Sequence, residues 1–169
     1  VNTVLQGLDS LTDDVIVIGA TNHPHLLDPA IWRRFPYKAE LHGPDIDVRT
    51  AMWRHFLFQD REEDDASALL AHLSAKMTGA EIENFAHAAR RRAIISKLEP
   101  SLPHILLAIA SSGDGVPMLP DNRPLSSDER KRLAQLLVNE VDMSQTDIAK
   151  MLGVSRQMIH RYLKGSDDG

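Results

Sequence analysis

The 169-residue chain has no cysteine. Disulfides and thiolate metal sites are therefore excluded, and the composition fits a reducing cytosol. No apolar run is long enough to cross a bilayer, and no basic stretch followed by an apolar one opens the chain. Neither a membrane span nor a secretion signal is read from it, and a cytoplasmic location is expected. Positive charge is also scarce, with 19 Lys and Arg against 24 Asp and Glu and a net charge of −5. A surface that grips nucleic acid everywhere is excluded, so any such contact has to be local. There is no internal repeat and no low-complexity tract.

What is present suffices for one large domain or two small ones with a sizeable core. The chain opens on Val1 inside an amphipathic stretch (Val4, Leu5, Leu8), and a piece of a longer protein is expected. Val15-Ile16-Val17-Ile18 reads as a strand covered on both faces, as in a parallel sheet. Asp28-Pro29 starts a short helix, with Asp as N-cap and Pro at the first helical position. Tyr37 to Leu41 alternates apolar and polar, as a half-buried strand does.

From Asp45 to Ser111 the pattern is helical. Thr78-Gly79-Ala80-Glu81 is a capping box, and Ile82, Phe85, Ala86, Ala89 and Ala93 share one face of the helix it opens. The Arg90-Arg91-Arg92 run near that helix's end reads as a solvated face favoured by the helix dipole, with a binding role as the alternative. Residues 112–125 concentrate Gly, Pro, Ser and Asp and read as a linker. Ser126 to Glu129 is a second capping box that starts a helix reaching Val141. The tail 166–169 is expected to be disordered.

Two constellations carry chemistry. In the first, Asn22 ends the run "VIVIGATN", and Arg33 and Arg34 close "LDPAIWRRF". A short amide can hold a water in line, and a guanidinium fork can spread over developing phosphoryl charge. These stretches, with "VNTVLQGLDSL" before them and "HGPDIDVR" after, resemble in order and spacing the second half of an AAA ATPase module over roughly residues 1–110. The resemblance implies the C-terminal part of a P-loop α/β core at 1–44 and a helical lid at 45–111. It implies that Asn22 positions the attacking water and that Arg33 and Arg34 are fingers reaching the ATP of a neighbouring subunit in a ring-like homo-oligomer. Gly79 and Ala80 match the pair lying close to the nucleotide. His23 and His25 read as loop residues, and no metal site is assigned. Trp32 and Phe35-Pro36 depart from the usual family pattern and leave the subfamily open. Neither a Gly-x-x-x-x-Gly-Lys-Ser/Thr loop nor an apolar strand ending in Asp-Glu occurs in the chain. The main elements that hold ATP and Mg²⁺ are thus expected upstream of Val1.

The second constellation is "QTDIAKMLGVSRQMIHRYLKG" (Gln145 to Gly165). Ile148, Ala149, Leu152, Val154, Ile159 and Tyr162 are spaced to pack two short helices at a steep angle. Gly153 takes the turn between them, Ser144 caps the first and Ser155 the second. The pattern resembles the helix-turn-helix of bacterial and phage DNA-binding proteins, within a three-helix domain at 126–165. The second helix, Ser155 to Lys164, then enters the major groove with Arg156, Gln157, His160, Arg161 and Lys164 outward. Arg156 and Gln157 suit base-edge readout, whereas Ser155, Arg161 and Lys164 suit phosphate contacts. A bundle used only for protein contacts is the alternative, and the basic outer face argues against it.

The expected architecture is therefore α/β followed by all-α. The expected function is an ATPase subunit that couples ATP hydrolysis in an oligomer to remodelling at double-stranded DNA, either of a DNA-bound protein complex or of the DNA itself. The alternative is a sequence-specific regulator whose AAA part senses nucleotide or merely oligomerises. On either reading the 169 residues alone should not hydrolyse ATP. Phosphate release by the purified chain, abolished by Arg33→Ala, would overturn this.

Overall fold

A computed structural model describes residues 2–164 except Asp13, Asp114, Val116 and Asn122. The tail expected at 166–169 lies outside the described residues. The chain forms two compact units, residues 1–42 and 43–169.

The first unit holds α1 (Asn2–Asp9), a 3-10 turn (Pro24–Leu26) and α2 (Pro29–Trp32). Asp28 caps α2 as its sequence predicts, accepting the Ala30 N–H at 2.8 Å. Trp32 Nε1 donates to the Pro24 carbonyl at 3.1 Å, which ties the turn to the helix. Phe35 packs against Gly19, where a Cβ would stand only 3.2 Å from its ring. The α/β expectation is not met here, because no described residue of the chain forms a strand. Val15–Ile18 is irregular, with Ile16 and Ile18 each 89% exposed, and so is Tyr37–Leu41, with Leu41 95% exposed. A strand exists only through hydrogen bonds to a neighbour, and these two stretches do not pair with each other.

The second unit is helical. It comprises α3 (Ile46–Phe56), α4 (Asp64–Leu73), α5 (Gly79–Ser96), α6 (Leu102–Ser112), α7 (Ser127–Val141), α8 (Gln145–Leu152) and α9 (Arg156–Lys164). Trp53 is fully buried, donates through Nε1 to Ser74 Oγ at 2.9 Å and meets Phe85 edge to face. The predicted face of α5 is buried at all five positions, Ile82, Phe85, Ala86, Ala89 and Ala93. Its capping box forms, Thr78 N–H donating to Glu81 Oε2 at 2.7 Å and Glu81 N–H to Thr78 Oγ1 at 3.3 Å. Arg49 is buried without a carboxylate. It donates to the carbonyls of Ala71 and Pro44 at 2.8 and 2.6 Å.

The arginine run differs from a solvated face. Arg90 donates to the Phe56 carbonyl at 3.3 Å and Arg92 to that of Pro120, leaving Arg91 alone exposed without a partner among the described residues. The stretch read as a linker is also packed. Pro117 and Leu125 are buried, and Leu119 is half-buried. Composition reports the polar residues of such a stretch but not the apolar anchors between them.

In the last three helices, α9 packs on both α7 and α8. Ile148 and Ile159 are fully buried, Ala149 and Leu152 nearly so, while Val154 and Tyr162 are half-buried. Gly153 has φ +62°, a left-handed turn that a side chain would strain. The α7 box also forms, Ser126 N–H donating to Glu129 Oε2 at 2.7 Å, and Arg123 grips both oxygens of Glu129 at 2.7 Å. That fork, with the Ser126 N–H, lowers the Glu129 carboxyl to about 2. Because the folded value is depressed, the stabilisation is complete above about pH 4.5 and fades as pH falls towards 2. Glu129→Gln should therefore lower the unfolding temperature at neutral pH and change it little near pH 2, as thermal melts at both would show.

Candidate functional sites

The first site lies in the 1–42 unit. Asn22 is exposed at a bend that follows the irregular apolar run. Next to it the His23 N–H donates to Thr21 Oγ1 at 3.0 Å, which holds the bend. Arg33 and Arg34 follow the single turn of α2, so the Asp28 cap and Pro29 set where both side chains start.

The two arginines are not equivalent. Arg34 forms a two-pronged contact with Asp9, Nε to Oδ1 at 2.6 Å and Nη2 to Oδ2 at 2.9 Å. This bond lowers the Asp9 carboxyl and raises the Arg34 guanidinium from their ordinary values. Arg33 is exposed and has no side-chain partner among the described residues. Its charge is thus uncompensated, whereas its neighbour's is matched. Asp9 escaped the sequence reading because it stands 25 residues from Arg34, and no local pattern joins them.

Gly79 and Ala80 belong to the other unit, in the first turn of α5. A Cβ on Gly79 would lie 3.1 Å from Met52 Cε, so the glycine lets α3 approach that turn. The first-turn amides of a helix have no intrahelical acceptor and favour negative charge.

The second site is the outer face of α9. Arg156, Gln157, His160, Arg161 and Lys164 are all exposed, and none has a side-chain partner among the described residues. Ser155 is exposed too, but its Oγ already accepts the Met158 N–H at 3.2 Å as the helix cap. The opposite face carries buried Ile159 with half-buried Met158, Tyr162 and Leu163. The helix contains no acid, so its charge is entirely basic on the solvent side. Gln135 of α7 was missed in the sequence. Its Nε2 donates at 3.3 Å to the Tyr162 carbonyl, one of the acceptors that the end of α9 leaves unfilled. A glutamine in mid-helix gives no signal of such a role.

Comparison with known proteins finds a family match in each of the two regions. Residues 1–42 match the model of the ATPase family associated with various cellular activities (AAA), and residues 133–168 match a helix-turn-helix model. The chain is 30% identical over 122 residues to the ATP-dependent zinc metalloprotease FtsH of Thermus thermophilus, covering 64% of this chain and 20% of that protein. It is 35% identical over 103 residues to the 26S proteasome regulatory subunit 7 homolog B of Arabidopsis thaliana, covering 55% and 22%. A spastin homolog of Caenorhabditis elegans is 52% identical over 44 residues, covering 25% and 9%. The chain therefore spans less than a quarter of each of these relatives. No solved structure matches it significantly. The chain joins a segment of the AAA family, at residues 1–42, to a C-terminal helix-turn-helix within residues 133–168.

Proposed function

We propose that this chain is part of an ATPase subunit that works in a homo-oligomer and is brought to double-stranded DNA by its C-terminal helices. The observation that carries the proposal is the uncompensated Arg33 beside the neutralised Arg34. An exposed guanidinium with no partner is available to an anion brought by another molecule, and a phosphoryl group is the anion its fork fits. Asn22 would hold a water through its side-chain amide, and Arg33 would stabilise charge developing on the phosphate of the neighbouring subunit. Arg34, tied to Asp9, would position the segment that carries Arg33. The nucleotide would supply the phosphoryl group and Mg²⁺ would screen its charge, with most of the residues that hold them outside these 169. Gly79 and Ala80 suit the nucleotide's surroundings, because first-turn amides of a helix favour a negative charge.

The apolar stretch Val15–Ile18 supports the same reading. Its side chains are largely bare, and pairing between strands of a parallel α/β sheet would cover them. Residues 45–111 would then be the lid and 126–164 the DNA-binding module. A lone module with few basic contacts binds weakly, so several copies in an oligomer would give the affinity that one cannot.

In the complete oligomeric protein, Arg33→Ala should reduce turnover by about 10³-fold or more with nucleotide binding retained. Turnover unchanged from wild type would end the finger assignment. Arg34→Ala should lower turnover less, because the charge it removes is already matched by Asp9. At the other site, Arg156→Ala or Gln157→Ala should weaken discrimination at one base position by about 1–3 kcal/mol. A binding assay across single-base variants of a selected site reads this, and an equal loss on every sequence would make the residue a phosphate contact.

A further inference from the structure

We infer that the lid helices and the helix-turn-helix form one mechanical body, so that α9 cannot reorient unless α3–α6 reorient with it, and that nucleotide state and grip on DNA are coupled through this body. The functional half of the inference rests on the roles proposed for Gly79–Ala80 and α9. The mechanical half does not.

A tethered module hangs on a solvated, polar segment with few contacts to either side. Residues 112–125 have the composition of such a tether, yet Pro117 and Leu125 are buried and Leu119 is half-buried. One apolar cluster runs from Trp53 and Leu70 through Ile105, Leu106 and Leu125 to Leu133, Leu137 and Ile159, with no break between the two modules. Helix α6 packs directly on α7.

Polar contacts pin the same seam from three elements. Arg92 of α5 holds the Pro120 carbonyl. His104 of α6 holds the Arg123 carbonyl through Nε2 at 2.7 Å, while its Nδ1 meets Ser101 Oγ at 2.7 Å. Because the carbonyl can only accept, Nε2 is the donor in that bond. His72 of α4 reaches across to the Glu140 carbonyl at the end of α7, Nε2 to O at 3.0 Å. Arg123 then grips Glu129 in the first turn of α7, which joins the pinned segment to the helix that carries α9.

A ligand can bias a distant site only through an element that has different arrangements in its bound and free states. With a floppy tether, a change beside Gly79 would leave α9 indifferent. With a shared core, the recognition surface follows the lid wherever the lid is set. In an oligomer holding several such surfaces, their relative spacing would then report how many lids are in each state.

The absence of cysteine makes the test direct. Spin labels at Glu83→Cys on α5 and Lys150→Cys on α8, both exposed positions, attach nowhere else in the chain. Pulsed electron–electron resonance should give a single narrow distance distribution, and a broad one overturns the inference. Adding Leu125→Ser, Arg92→Ala and His104→Ala should broaden it with helicity unchanged by circular dichroism. A distribution that stays narrow removes the seam as the cause. Should Leu125→Ser prevent folding, the Arg92→Ala/His104→Ala pair carries the same comparison. In the complete protein, DNA affinity should differ several-fold between the ATP- and ADP-bound forms and become equal in the seam variant. Equal affinities in the wild type would overturn the coupling while leaving the Arg33 result to stand or fall separately.

Discussion

Burial of one continuous apolar surface governs the 43–164 region. Leu106, Leu133, Leu137, Ile148 and Ile159 are sealed from water, and each such side chain contributes about 1.5–3 kcal/mol over its exposed state. Helices α8 and α9 have only 8 and 9 residues, and isolated helices shorter than about 12–15 residues are marginal in water. Their shape therefore depends on one another and on the helices α3–α6 that share their core. Caps, turns and ion pairs refine that arrangement, but the core determines it.

Charge is distributed in three ways across the arginines. Some are consumed by the backbone: Arg49 on two carbonyls, Arg90 and Arg92 on one each. Others answer a carboxylate, as Arg34 answers Asp9 and Arg123 answers Glu129. A third group, which includes Arg33, Arg91, Arg132, Arg156 and Arg161, faces solvent with nothing opposite among the described residues. Type and position in the sequence do not separate these classes, as the adjacent Arg33 and Arg34 demonstrate. Only the partner does. For a chain of net charge −5, the few unanswered cations stand out as places where an outside anion lowers the energy.

Features set by residues within one helical turn were legible in advance. The boxes at Thr78–Glu81 and Ser126–Glu129, the caps Asp28, Ser144 and Ser155 and the left-handed Gly153 all follow from short-range chemistry, and all are found. The buried face of α5 was equally readable, because a 3.6-residue period marks it. What failed to show were interactions made at a distance. The Asp9–Arg34 fork, buried Arg49 and the His72–Glu140 bond each join residues that no periodicity links. The strand at Val15–Ile18 failed for a related reason: apolar pattern states what a segment could bury, and pairing decides whether it does.

That same segment has a consequence for handling the chain. Val15, Val17 and especially Ile16 and Ile18 are bare β-branched side chains in sequence, uninterrupted by charge or proline. Such a stretch is a template for edge-to-edge association between copies, and the flanking Asp14 and the glycine at 19 are thin protection against it. Crowding copies of the chain together therefore favours sheet-like pairing through these four residues.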